Sequence, residues 1–344
     1  MAERPIILGC HGPTLSDWER SFFAEADPHG FILFKRNCET PEQVAALTEA
    51  LLDCVGRPDA PVLVDQEGGR VQRLGPPHWR AMPAAAEFGK LAARDAEAGR
   101  EAVALNARLL GDELAACGIS ADCAPVLDLS YPETHEAIGD RAFGSEPALV
   151  ADLGRAFCDG LAATGVLPIV KHMPGHGRAS VDSHLELPRV SASLAELETS
   201  DFATFRALAD APWAMTAHIV FEAVDPERPA TVSSQLIEEV IRGSIGFEGV
   251  IVTDDLSMEA LSGSPSERAQ ASLAAGCDLV LHCNGKPEEM AELAEGVGDM
   301  SAESAERLAR AAAKVPAVPA RLGANQRQDM QARLDALLSQ AAAA

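Results

Sequence analysis

The sequence predicts an α/β protein, a single-domain (β/α)₈ barrel of the TIM type. Two observations carry that expectation. Short apolar runs alternate with longer amphipathic stretches almost from end to end of the 344 residues, the pattern of strands separated by helices. Nearly every run also ends in polar groups: Lys35 and Arg36, Asp65, Asp128, Lys171 and His172, His218, Asp254 and Asp255, and Asn284. A closed barrel brings these ends to one mouth, whereas an open doubly wound sheet leaves several of them far apart.

The elements follow in order. Strands are expected near 6–10, with Ile6-Ile7-Leu8, and near 30–34, with Phe31-Ile32-Leu33. Thr40-Pro41 then opens a helix near 41–55, because threonine caps a helix start and proline suits its first turn. Val62-Leu63-Val64 gives the third strand, near 61–65, followed by a helix near 97–117 and a strand near 120–128. Ser145-Glu146-Pro147 starts the next helix, near 147–164, and Val166-Leu167-Pro168-Ile169-Val170 is a buried strand near 166–171. The pattern continues with a helix near 194–210, a strand near 214–219, a helix near 234–243 and the β-branched strand near 249–254. A helix near 266–276, a strand near 278–283 and a helix near 287–296 complete it. Beyond 296 the chain is helical and alanine-rich, with Pro316-Ala317-Val318-Pro319 as a hinge and an amphipathic segment near 324–340. The expected division is a catalytic barrel over 1–300 and a helical extension over 301–344 packed on it, with no second domain and no internal repeat.

Composition bounds the function. A chain this long, 47% hydrophobic, can bury a large core. Its 52 acidic against 28 basic residues give a formal net charge of −24, which disfavours nucleic acid and anionic membranes as partners. A locally basic site remains possible, since Lys35, Arg36, Arg70, Arg73, Arg141, Lys171 and Arg178 all fall in or beside the candidate loops. The eight cysteines form no C-x-x-C pair and mostly lie in apolar runs, as reduced, buried thiols do. The N-terminus has no charged leader with a long apolar core, and no run approaches the roughly twenty residues that span a bilayer. A cytoplasmic enzyme is expected. No G-x-G-x-x-G or Walker-type loop follows a strand, so dinucleotide and nucleotide-phosphate folds lose their main support.

Three motifs carry chemistry. The stretch Lys171-His172-Met173-Pro174-Gly175-His176-Gly177-Arg178, running on to Asp182-Ser183-His184, joins a buried strand to a glycine-rich loop, the usual place for an active site in such folds. His172 and His176 have the spacing of a helical zinc site, but Pro174-Gly175 breaks the helix that would put both rings on one face. Asp182 and His184 are two apart, so in an extended segment the carboxylate can accept from the imidazole and favour its charged form. His184 then suits general acid and base work near neutral pH, or the two form an ordinary surface pair; the local sequence does not separate these. Asp65-Gln66-Glu67-Gly68-Gly69-Arg70-Val71-Gln72-Arg73 is a second strand-to-loop junction, whose carboxylates and guanidiniums suit a polyhydroxylated ligand or form a structural salt bridge. In the loop Ala137–Gly144, Arg141 sits among small residues and can point inward. Third, Thr253-Asp254-Asp255 ends a strand in adjacent carboxylates that must face opposite ways. One of them can aim into the mouth as nucleophile, base or metal ligand while the other caps the following helix.

Taken together, Asp65 to Arg73, Lys171 to Gly177 with Asp182-Ser183-His184, and Thr253 to Met258 resemble the β-N-acetylhexosaminidases of glycoside hydrolase family 3, the NagZ type. The resemblance runs from the first strand to about Asn284. It implies a retaining hydrolysis of terminal β-linked N-acetylglucosamine, with Asp254 as nucleophile and His184, oriented by Asp182, as acid and base. It also implies that Asp65, Arg73, Arg141, Lys171 and His172 bind the sugar, that no cofactor or metal takes part, and that the His184 loop moves when substrate binds. The substrate it implies is a small molecule, N-acetylglucosamine linked to 1,6-anhydro-N-acetylmuramic acid and its peptides, cleaved during cell-wall recycling; the short loops and lack of a second domain favour a monomer. Met173 stands where an aromatic residue or isoleucine is commoner in the family, and Asp140 where asparagine is frequent. Three rivals stay open: a phosphorolytic enzyme of the same fold, a metal-dependent hydrolase using His172, His176 and Asp254, and a silent sugar-binding protein.

Overall fold

A computed structural model describes residues 3–179, 186–315 and 321–342. At its centre is a closed barrel of eight strands: β1 (Arg4–Gly9), β2 (Pro28–Leu33), β3 (Val62–Val64), β4 (Ala121–Asp122), β5 (Leu167–Met173), β6 (Trp213–Thr216), β7 (Val250–Asp255) and β8 (Leu279–His282). Each pairs in parallel with the next, and β8 closes on β1 with Ile6 opposite Val280 and Ile7 opposite Leu281.

Side-chain alternation explains why the runs close in this way. Ile7, Ile32, Leu63, Ala121, Ile169, Trp213, Val250 and Leu279, one from each strand, pack together inside the barrel. Their neighbours Ile6, Phe31, Val62, Val170, Ala214, Ile251 and Val280 belong to the separate layer between barrel and helices. A one-residue slip would exchange the two sets, so burial on both faces pins the register.

All eight strands fall on the predicted runs, with differences that have local causes. The run at 120–128 pairs only at Ala121–Asp122 and by a bridge from Val126 to Lys171, because Pro125 interrupts the ladder. The run ending at 171 continues to Met173. Helix Asp17–Ala26 was not expected; Ser16 and Glu19 cap its start reciprocally, and Asp27 ends it in the left-handed region at φ 44°. Helix Ala85–Ala92 is likewise additional. The expected helix at 194–210 divides at Ser200 into Leu194–Thr199 and Asp201–Ala207. Leu236–Ser244 is wound as a π-helix.

Beyond β8, helix Ala302–Ala312 lies across the N-terminal end of the barrel, where Leu308 and Ala311 pack on the interior cluster. Asp278 fixes it by accepting from Arg307 (2.8 Å) and Ser304 (3.0 Å), while its other oxygen takes Arg242 (2.9 Å). The last helix, Ala324–Ala342, approaches through buried Asp112, which accepts from Arg327, Arg321 and the Leu322 N–H. Among the described residues no helix is long and apolar enough to cross a membrane.

Candidate active site

A cavity of about 320 Å³ opens at the C-terminal ends of the strands. Asp65 follows β3, Lys171 and His172 end β5, and Asp254 lies at the end of β7; Arg73 and Arg141 reach in from loops. Closure of the barrel makes these distant parts of the sequence neighbours.

Glycines set the first wall. Gly68 (φ 104°) and Gly69 (φ 56°) turn the chain so that Gln66–Gly68 pairs antiparallel with Val71–Gln72. A Cβ on Gly68 would lie 2.3 Å from the Pro83 carbonyl oxygen, so the turn admits no side chain there. Along this arm alternate residues face opposite ways. Asp65 and Glu67 line the cavity, while buried Gln66 turns away and accepts from the N–H groups of Arg73 (2.8 Å) and Leu74 (3.1 Å).

The cations of the cavity are each held by carboxylates. Lys171 Nζ donates to Asp65 Oδ1 (2.8 Å) and lies 2.6 Å from Glu67 Oε1. Arg73 donates to Asp65 Oδ2 (2.9 Å), and Arg141 grips Glu67 with two bonds, Nε to Oε2 (2.7 Å) and Nη2 to Oε1 (2.8 Å). Burial opposes charge on Asp65, but Lys171 and Arg73 outweigh it and hold the carboxyl well below the usual range. By the same contest, burial against Arg141 and Lys171, Glu67 falls to about 2. Lys171, disfavoured by burial, is pushed above the lysine range by Asp65 and Glu67.

His172 continues the chain. Its Nδ1 lies 2.6 Å from the Oδ2 of buried Asp128, and its Nε2 lies 3.3 Å from Arg141 Nη2. With a carboxylate on one side and a guanidinium on the other, Nδ1 donates and Nε2 accepts. Asp128 Oδ1 also accepts from the backbone N–H groups of His172 (3.2 Å) and His176 (2.7 Å). Burial raises the Asp128 carboxyl, and the His172 ring and His176 bring it below the ordinary aspartate range.

Asp254 is different. Its Oδ1 accepts from the Asp255 N–H (2.8 Å), and its Oδ2 takes no hydrogen bond from a described residue. Burial works against its charge, and His218 and His172 prevail, keeping it below the usual range and therefore ionised at neutral pH. Asp255 faces away and accepts from Ser257 N–H (2.9 Å), Ser257 Oγ (2.6 Å) and Cys283 N–H (3.1 Å), organising the following turn.

An ionised carboxylate poised in a pocket of paired charges fits a glycoside, and comparison with known proteins decides the matter. Residues 15–318 match the glycosyl hydrolase family 3 N-terminal domain. The chain belongs to glycosyl hydrolase family 3. The β-hexosaminidase of Alkalilimnicola ehrlichii is 41% identical over 310 residues, covering 89% of this chain and 88% of that protein. That of Bordetella avium is 39% identical over 295 residues, covering 85% and 83%. NagZ from Neisseria gonorrhoeae, solved with N-trifluoroacetyl-D-glucosamine, superposes with a TM-score of 0.86 at 35% identity over 99% of both chains. The protein is a glycoside hydrolase of the β-N-acetylhexosaminidase class.

In this family 3 hydrolase, Asp65, Arg73, Arg141, Lys171, His172 and Asp254 meet at one cavity. Asp182 and His184 lie outside the described residues. Not every polar strand end joins the site: Arg36 spends its guanidinium on the Cys10 and Cys283 carbonyls, Lys35 reaches the Arg73 carbonyl, and Asn284 bonds Glu289. His218 lies beneath, between Thr231 and the Asp255 carbonyl. Arg178 is bound to Asp201 and packs over the Tyr131 ring. Glu67 and Asp128 were not singled out as site residues, although Glu67 stands two positions after Asp65 on a strand-like arm, the spacing that puts both on one face. As for metal, both nitrogens of His172 face protein partners, one of them a guanidinium. Among the described residues no three His, Cys, Asp or Glu side chains are placed to hold an ion.

Below the cavity, fully buried Asp122 accepts from the Gln66 N–H (2.9 Å) with Oδ1, while Oδ2 has no partner among the described residues. Burial, then repulsion from Asp65 and Glu67, overcomes the Gln66 bond and Lys171 and pushes it up to about 8. Since its folded value exceeds the unfolded one, the native state holds the extra proton between about pH 4 and 8, and stability drains away as pH rises through that window. Asp122→Asn keeps the Oδ1 acceptor without titrating. Denaturant unfolding is expected to show the variant matching wild type near pH 4 and exceeding it at pH 8 by on the order of a few kcal/mol. A difference that does not change with pH would contradict this assignment.

Proposed function

We propose that this hydrolase is a retaining exo-β-N-acetylglucosaminidase that removes terminal N-acetylglucosamine from 1,6-anhydro-muropeptides in the cytoplasm during peptidoglycan recycling, acting as a monomer. The observation that carries the mechanism is Asp254, ionised, lining the cavity and held by the described residues through one oxygen only. In this reading the Asp254 carboxylate attacks the anomeric carbon as the glycosidic C–O bond breaks. His184, oriented by Asp182, gives its proton to the leaving oxygen. His184 then takes a proton from water as that water displaces Asp254 and releases the sugar. Asp65, Arg73, Arg141, Lys171 and His172 bind the sugar hydroxyls, their hydrogen-bonding groups already fixed by the carboxylate pairs before substrate arrives.

Phosphorolysis is the second reading, since a histidine acid repels incoming phosphate less than a carboxylate would. The charge pattern favours water. Arg73, Arg141 and Lys171 are each committed to Asp65 or Glu67, and Arg70 at the rim to Asp140. Among the described residues, a phosphate would meet no unpaired arginine or lysine at this cavity and would have to displace one of these pairs beside the Asp254 carboxylate. Turnover of 4-nitrophenyl N-acetyl-β-glucosaminide is therefore expected to be unchanged by added phosphate, with free N-acetylglucosamine as the only sugar product. Faster turnover with formation of a sugar 1-phosphate would reassign the enzyme as a phosphorylase.

A further inference from the structure

We infer that Glu67 is a positioning residue that holds Lys171 and Arg141 side by side in the sugar-binding geometry. The inference rests on the reading that these two cations bind the sugar. Glu67 Oε1 faces both Lys171 Nζ (2.6 Å) and Arg141 Nη2 (2.8 Å), and Oε2 takes Arg141 Nε (2.7 Å). Its carboxylate is thus occupied by protein cations and acts through them. Two positive groups sharing one oxygen repel each other, and Lys171 is buried and Arg141 half-buried, so a charged acceptor at this point keeps them together. Arg141 in turn lies against His172 Nε2, so the same carboxylate fixes the approach to the ring that Asp128 holds from the far side. Glu67 is the joint between the Asp65–Lys171–Arg73 group and the Arg141–His172–Asp128 group.

The test is steady-state kinetics, with KM and kcat resolved separately, on Glu67→Gln and Glu67→Asp with 4-nitrophenyl N-acetyl-β-glucosaminide, beside Lys171→Ala and Arg141→Ala. Glu67→Gln keeps the shape and loses the charge. Its KM is expected to rise roughly tenfold or more with kcat changed only a few-fold. Glu67→Asp keeps the charge but is one methylene short of spanning both partners, so its KM rises as well, again with kcat changed only a few-fold. A wild-type KM in Glu67→Gln overturns the inference. If circular dichroism shows that Glu67→Gln does not fold, Glu67→Asp decides: a raised KM supports the role and a wild-type KM overturns it. Wild-type KM values in both Lys171→Ala and Arg141→Ala would sink the sugar-binding assignment and this role with it. Raised values there with unaffected Glu67 variants sink this role alone.

Discussion

Asp254→Ala is expected to lower kcat for 4-nitrophenyl N-acetyl-β-glucosaminide by roughly three orders of magnitude or more, the scale on which loss of a covalent nucleophile is felt. The fold should survive. Among the described residues the carboxylate accepts a single hydrogen bond, from the next residue's N–H, and removing it leaves no packed network there without a partner. The stability change should stay within the range of about 0.5–3 kcal/mol ordinary for a point substitution. Activity assays and denaturant unfolding on the same preparation separate the two effects. A folded Asp254→Ala that keeps a tenth of its activity would remove Asp254 from the nucleophile's place.

His184→Ala should show a different pattern, because an acid and base is needed unequally in the two steps. The 4-nitrophenolate leaving group is stable without protonation, so formation of the glycosyl-enzyme needs little help, whereas attack by water needs a base. Turnover is expected to fall by about 10²–10⁴, the usual contribution of a general acid or base. What remains should show a burst of nitrophenol followed by a slow steady state. Azide, a nucleophile with no proton to lose, should restore the rate and yield a glycosyl azide. Equal losses in both steps with no response to azide would mean that His184 acts in some other way.

How much of this was legible in the sequence depends on what each residue's role rests on. The eight strands were readable because aliphatic runs such as Ile6-Ile7-Leu8 and Val62-Leu63-Val64 are buried on both faces, and the charged residue after each run marks its end at the mouth. Helix Asp17–Ala26 escaped although its signal was present: Ser16 and Glu19 stand at the spacing of a capping box. Strand β4 was expected too long because an apolar run alone does not reveal that Pro125 cannot continue a ladder.

The site divides in the same way. Asp65, Lys171, His172 and Asp254 could be picked out as groups at strand ends, where the barrel decides their location. Arg36 and Asn284 carry the same local signal and serve backbone carbonyls and a surface glutamate instead; only the packing of the loops separates them. Glu67 and Asp128 brace their neighbours, which is a matter of which cation or ring stands opposite, 74 residues away for Arg141 and 44 for His172. A single sequence does not state such distances.

The central claim is that Asp254 forms a covalent bond to the sugar. It is tested most directly by quenching His184→Ala in acid during the slow phase with 4-nitrophenyl N-acetyl-β-glucosaminide, then weighing the protein and mapping its peptides by mass spectrometry. The account predicts a gain of one N-acetylglucosaminyl unit, located on the peptide that contains Asp254. Protein of unchanged mass, or an adduct on the peptide bearing Asp65 and Glu67, would contradict it.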